Sequence, residues 1–107
     1  MASFWIPELA LAKHPAVYIL TNRPSGVLYI GVTSDLVKRI WQHRSDAVEG
    51  FSQHYRLHTL VYFEQHGSMI HAIEREKELK KWRREWKVAL IEEANPEWRD
   101  LWPDIVG

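Results

Sequence analysis

The stretch AVYILTNRPSGVLYIGV, residues 16–32, decides the fold. Ala16 to Thr21 form a short run of apolar, β-branched and aromatic residues, which reads as a strand. Asn22, Pro24 and Gly26 supply turn chemistry, and VLYIGV at 27–32 reads as a second strand, so the stretch is a hairpin. It carries two tyrosines, Tyr18 and Tyr29. Because side chains alternate along a strand, the turn length decides whether they share a face. A four-residue loop at 22–25 would pair Thr21 with Gly26 and set Tyr18 opposite Tyr29, whereas a five-residue loop would send them to opposite faces. On composition alone both are amphipathic strand residues, ring buried and hydroxyl at the rim.

Working outward, Ser34 is placed to cap a helix, with Asp35 favourable in its first turn. Leu36, Val37, Ile40, Trp41 and Val48 keep helical spacing through about residue 48, and the helix should end at Gly50. After a polar stretch at 51–56, LHTLVYFEQ (57–65) reads as a third strand closed by Gly67. Ser68 then caps a helix running through Glu76 to about Trp82, and another covers about 83–94. That helix stops at Asn95-Pro96, because proline disfavours helix in the residue before it. Asn95 can itself cap a last short turn, Pro96 to Leu101. Residues 1–15 read as an extension with a short amphipathic piece, Ile6 to Leu11, ended by Pro15. Residues 16–107 are then one domain of order β-β-α-β-α-α, an α/β fold with a small three-stranded sheet flanked by helices. It is not a doubly wound nucleotide fold, which needs alternating strands and helices.

At 107 residues the chain is long enough for one core, burying roughly 60–70% of its unfolded surface. The absence of cysteine excludes a disulfide framework, a thiolate zinc site and a cysteine nucleophile. No targeting signal or bilayer-length apolar run is evident, so the expectation is a soluble, cytoplasmic protein. Fourteen basic and fourteen acidic side chains give a formal net charge of zero, so nucleic acid cannot be held by bulk charge. The distribution is uneven. Residues 74–87 carry seven basic and four acidic groups, and residues 88–107 carry one and five.

Several residues could carry chemistry. Arg39 and His43 are four apart and share a helix face with Asp35, Gln42 and Asp46, away from Leu36 and Ile40. The simplest reading of that face is solvated polar surface. Glu76 is the most informative single residue, because Met69, Ala72, Ile73 and Leu79 all fall within about 60° of it on a helix. A carboxylate in an apolar stripe needs a cation, a metal or a proton, and a neighbouring Arg or Lys would serve. KELKKWRREWK (77–87) mixes six basic residues with Trp82 and Trp86. Lys80, Lys81, Arg83 and Arg84 can neutralise phosphates, and the tryptophans can stack on bases. Yet Trp82, Trp86 and Ala89 are also spaced as a core stripe, which is the expectation here. The six histidines offer no ligand pair on one helix, and no Gly-rich phosphate loop or nucleophile elbow is present.

One family unites these features. V-Y-I at 17–19, Y-I-G at 29–31, Arg39 ten residues after the second tyrosine, His43 four later and a helical Glu76 resemble the GIY-YIG nuclease superfamily, above all its small stand-alone bacterial members. The similarity covers about residues 16–102. The first motif departs from the family pattern, keeping only the tyrosine in a shifted frame. The resemblance implies a divalent-metal-dependent endonuclease that hydrolyses DNA phosphodiester bonds, in branched or damaged DNA and hence in DNA repair. It assigns Tyr18 and Tyr29 as the paired tyrosines, one of which acts through its phenolate or a bound water. Arg39 would steady the scissile phosphate, with His43 in the same hydrogen-bonded cluster and Lys38 a basic neighbour. Glu76 would be the protein ligand to one Mg2+ or Mn2+ ion. The family's late asparagine has Asn95 as its candidate, although the place before Pro96 suits a cap.

A lone carboxylate suits a hard cation with mostly water ligands. A tyrosine is a poor base at neutral pH unless nearby cations depress its pKa. The expected partner is DNA, with a homodimer or a recruiting protein offsetting the lack of net positive charge. Two other readings stay open: a catalytically weak nucleic-acid-binding module, and a protein-interaction domain using the aromatic-rich C-terminus.

Overall fold

In the computed structural model, which describes residues 14–47 and 50–107, the run Ala16–Thr21 is the middle strand of a three-stranded sheet. The elements are β1 (Ala16–Thr21), β2 (Leu28–Thr33), α1 (Leu36–Arg44), α2 (Phe51–Tyr55), β3 (Thr59–Gln65), α3 (Met69–Lys81), α4 (Arg84–Ala94) and α5 (Trp102–Val106). The expected piece Ile6–Leu11 and the stripe residue Val48 lie outside the described residues. Among the described residues no helix is long and apolar enough to cross a membrane.

Strand order is β2-β1-β3, with both neighbours antiparallel to β1. All six residues of β1 are buried, because helices cover both faces of the sheet. On one face Tyr18 and Leu20 pack with Leu36 and Ile40 of α1, Leu60 of β3 and Ile105 of α5. On the other, Val17, Ile19, Ile30 and Val61 pack with Ala72 and Leu79 of α3, Ile91 of α4 and Trp98.

The hairpin loop spans residues 22–27 rather than 22–25, so Thr21 pairs with Leu28 and Tyr18 faces Gly31. Two added residues leave the parity unchanged, so Tyr18 and Tyr29 share a face, set diagonally instead of directly opposite. Asn22 Oδ1 accepts from the Val27 amide at 3.0 Å, and the Gly26 amide donates to Arg23 O at 2.9 Å. Arg84 reaches across to the loop, its Nη2 donating to Ser25 O and Gly26 O at 2.8 and 2.6 Å.

Helix boundaries differ from expectation for identifiable reasons. Asp35, not Ser34, caps α1, because its extended backbone turns Oδ1 onto the Lys38 amide at 3.2 Å. The helix stops at Arg44, short of residue 48. Ser45 Oγ donates back to Trp41 O at 2.9 Å, and Asp46 takes a left-handed conformation (φ 58°). Residues 51–55, expected as loop, form the short α2, and α5 was not anticipated. Strand β3 begins at Thr59 rather than Leu57. Ser68 caps α3 as expected, accepting from the His71 amide at 3.2 Å.

A bulge interrupts the pairing of β1 with β3: Ile19 faces Tyr62 but Leu20 faces Leu60, leaving Val61 extra. The exposed backbone is bonded from the C-terminal segment. Asn95 Nδ2 donates to Val61 O at 3.1 Å, and the Leu101 amide donates to Leu60 O at 2.7 Å. The Leu60 amide donates to Asp100 Oδ1 at 3.3 Å. Asn95 Oδ1 also accepts from the Arg99 amide at 3.1 Å, but the turn it closes covers only residues 96–97 and does not run to Leu101, because Trp98 takes a left-handed conformation (φ 58°).

Two substitutions test this framework. Asn95→Ala leaves the Val61 carbonyl buried without its donor and should lower unfolding stability by about 1–3 kcal/mol in a urea titration. Gly31→Ala would drive a methyl into the Tyr18 ring, which crosses Gly31 in close contact. It should cost roughly 1–3 kcal/mol and shift the Tyr18 ring resonances in an NMR spectrum.

Candidate functional site

Tyr18, Tyr29, His43 and Arg39 meet where the hairpin lies under α1. Gly31 makes room for this, since any side chain there would occupy the place of the Tyr18 ring. Tyr18 is 1 % exposed, and its Oη and His43 Nε2 are hydrogen-bonded at 3.0 Å. The His43 ring lies 5.6 Å from the Tyr18 ring and 5.4 Å from that of Tyr29, and the tyrosine rings are 6.3 Å apart. His43 is therefore not on a solvated face; it is 1 % exposed beside Leu36 and Ile40. At 100° per residue His43 falls about 20° from Leu36, so it belongs to the stripe that faces the sheet and not to a face away from it, with Arg39 at the margin.

Burial and the charge of Arg39 set the electrostatics. Burial drives the Tyr18 phenol up to about 12, against the lowering pull of its hydrogen bond with Arg39. Burial likewise brings His43 down to about 4, with the charges of Arg39 and His58 adding to it. The Arg39 guanidinium is held charged chiefly by its hydrogen bond to Tyr18, with Tyr29 contributing. Arg39 Nη1 also donates to Gln42 Oε1 at 3.3 Å, which fixes the guanidinium from below. An arginine only donates, so the Tyr18 oxygen accepts from it.

Glu76 approaches from α3, which packs against the same edge strand β2. Its side chain is 13 % exposed, and Oε2 is paired with Lys80 Nζ at 2.6 Å, one turn along the helix. Its charge is felt at the Tyr18 hydroxyl, adding to the upward shift there. The ion pair anticipated for this residue is present, yet it leaves the carboxylate within electrostatic reach of the tyrosine that Arg39 touches. Among the described residues no cluster of three or more His, Cys, Asp or Glu side chains could cage a metal. A single, largely buried carboxylate whose partner Lys80 lines an open groove fits a hard cation that keeps most of its water shell.

Two grooves flank Gly31 along β2. One is lined by Leu28, Tyr29, Ile30, Lys80 and Lys87. The other is lined by Val32, Thr33, Ser34, Asp35, Lys38, Arg39, Gln42 and Met69. Of the basic candidates, Lys38 and Lys80 thus border the grooves, and Lys81 is exposed. Arg84 is tied to the hairpin loop, and Arg83 lies over the Trp86 ring at 5.4 Å. Asn95 is not brought to the cluster; its side chain is occupied at the bulge. Lys87 escaped the sequence reading because it borders the Tyr29 groove from α4, while Lys80 does so from α3.

The tryptophan stripe holds only at Trp82, which packs against the core, since Trp86 is 51 % exposed. Trp82 and Arg83 are both extended (ψ 152° and 153°), so the 82–86–89 spacing does not run along one continuous helix.

The family model described as the GIY-YIG catalytic domain matches residues 14–89. A UPF0213 protein of Bacillus pumilus is 31% identical over 87 residues, covering 81% of this chain and 89% of that protein. A UPF0213 protein of Staphylococcus haemolyticus is 35% identical over 83 residues, covering 78% and 99%. No solved structure gives a significant match. With a matched domain that takes in the hairpin, α1, β3 and α3, the chain belongs to the GIY-YIG family.

Proposed function

We propose that the protein is a divalent-metal-dependent endonuclease that hydrolyses DNA phosphodiester bonds, with branched or damaged DNA as its substrate class. One observation carries the reading: Tyr18, Tyr29, Arg39 and His43 converge around Gly31, while Glu76 stands on α3, which packs against the same strand β2.

When bound at Glu76, a Mg2+ or Mn2+ ion would polarise the phosphate and stabilise the leaving 3′ oxygen. Arg39 offsets the negative charge that grows at phosphorus, and its bonds to Gln42 and Tyr18 hold it in place before substrate arrives. The two tyrosines have different access. Tyr18 is buried and held by His43, which suits a positioning role. Tyr29 lines the open groove with Lys80 and Lys87, so it is the tyrosine that, as its phenolate, can meet the attacking water and take its proton. Lys38 and Lys87, at opposite ends of the β2 edge, suit flanking phosphates. Tight sequence-specific binding is not expected from one electrically neutral copy, so a second copy or a recruiting partner would supply specificity.

The test is cleavage of labelled duplex, single-stranded and four-way-junction DNA with Mg2+ or Mn2+. Wild type should cut only with metal, and Glu76→Gln and Arg39→Ala should each be slower by about 100-fold or more. Equal cutting by wild type and Glu76→Gln would overturn the assignment of Glu76. DNA binding without cutting would leave a binding module, and neither activity would point to a protein partner.

The buried His43 also imposes a pH dependence on stability. Its pKa is lower in the fold than the ordinary value of about 6.5, so the unfolded chain takes the proton first. Stability is therefore complete above about pH 6.5 and falls as pH drops toward 4, by about 3 kcal/mol at most. Urea titrations from pH 7 to pH 4 should show this slope in wild type and lose much of it in His43→Gln.

A further inference from the structure

The Glu76–Lys80 pair joins two groups whose surroundings differ. The carboxylate is largely buried at 13 % exposure, whereas the Lys80 side chain is 54 % exposed and lines the Tyr29 groove. Glutamate one turn N-terminal to lysine is the favourable order for such a pair, and it requires no rearrangement of the helix. The lysine can leave by rotating its own side chain; the glutamate is held by the packing around it. Lys80 and a divalent ion would compete for the same carboxylate, and a phosphodiester in the groove would compete with that carboxylate for Lys80.

We infer that Lys80 is a positioning residue that covers the Glu76 carboxylate in the free protein and transfers its contact to a substrate phosphate, so that metal binding and nucleic-acid binding are coupled through one side chain. The inference rests on the nuclease reading of Glu76. Without nucleic acid, Lys80 neutralises a carboxylate that would otherwise be buried and unpaired. With nucleic acid in the groove, the ammonium has a phosphate to pair with, Glu76 is uncovered, and the same phosphate offers an oxygen to the ion. A cation with a single protein carboxylate binds weakly by itself, so this ordering admits it when the substrate is present.

The experiment is a Mn2+ titration read from the EPR signal of the free ion. Wild type, Lys80→Met, Lys80→Arg and Glu76→Gln are each measured with and without a single-stranded phosphorothioate oligonucleotide that resists cutting. Lys80→Met in the absence of DNA should bind Mn2+ about fivefold more tightly than wild type, since a competing positive charge is gone. It should also show a smaller gain on adding the oligonucleotide. Lys80→Arg should restore the wild-type pattern. Unchanged Mn2+ affinity in Lys80→Met, together with loss of binding in Glu76→Gln, would overturn the role of Lys80 and leave Glu76 as the ligand. Undiminished binding in Glu76→Gln would overturn the metal assignment itself, and with it this inference. Lys80 is exposed, so a thermal melt of Lys80→Met close to that of wild type serves as the folding control.

Discussion

A hydroxyl on the fully covered middle strand of a sheet must be hydrogen-bonded, and much of this structure follows from how that requirement is met at Tyr18. The bond to His43 at 3.0 Å satisfies it. For that bond to form, the α1 face carrying Arg39 and His43 must turn toward the sheet and not toward water. For the Tyr18 ring to lie flat enough to reach it, the facing residue on β2 must be Gly31. For Arg39 to donate to the same oxygen, its guanidinium must sit at the margin of the core, where Gln42 steadies it. A structural need to satisfy one buried hydroxyl and a chemical arrangement of cation, imidazole and phenol are thus met by the same atoms.

Much of this could be read from residue types and spacing, and the failures have physical causes. AVYILT has no polar alternation, which fits a strand buried on both faces, and for that reason the Tyr18 hydroxyl is buried and not at the rim as expected. Whether Tyr18 and Tyr29 share a face was left open between a four- and a five-residue loop, and the six-residue loop has the parity of the four-residue one. Arg39 and His43 were set apart from Leu36 and Ile40, yet at 100° per residue His43 falls about 20° from Leu36, so its place on the core stripe was legible in the spacing and was missed. Glu76 stood out as a charge in an apolar stripe, and the Lys80 pair is the local answer to that conflict. The exposure of Trp86 was missed because its spacing from Trp82 was counted along one helix, although a break at 82–83 was expected and the two extended residues there redirect the chain. The bulge at Val61 was illegible, since its stabilising partner lies 34 residues away at Asn95.

The charge pattern acquires meaning once pairings are known. The stretch from 74 to 87 carries an excess of positive charge, yet several of its cations are engaged within the molecule. Arg75 is bonded to Glu64 at 2.7 Å and to Glu78 at 2.7 Å, and Arg84 to loop carbonyls. Exposed lysines along the β2 edge are more readily turned toward a ligand than these arginines, which are fixed by hydrogen bonds. A neutral protein can in this way present a local positive track without the field that would bind nucleic acid indiscriminately.

The stitching of the bulge to the C-terminal segment bears on how the protein is made. Leu60 and Val61 have backbone groups that find their partners in Asn95, Asp100 and Leu101, and Arg44 of α1 is bonded to Asp100 at 2.6 Å. During synthesis the chain emerges from its N-terminal side, so the hairpin and α1 are available long before those partners exist. Until residue 101 has left the ribosome, β3 carries unmatched amides and carbonyls in the middle of a nascent core. The bulge of β3 is therefore satisfied only once the segment from Asn95 to Leu101 is available.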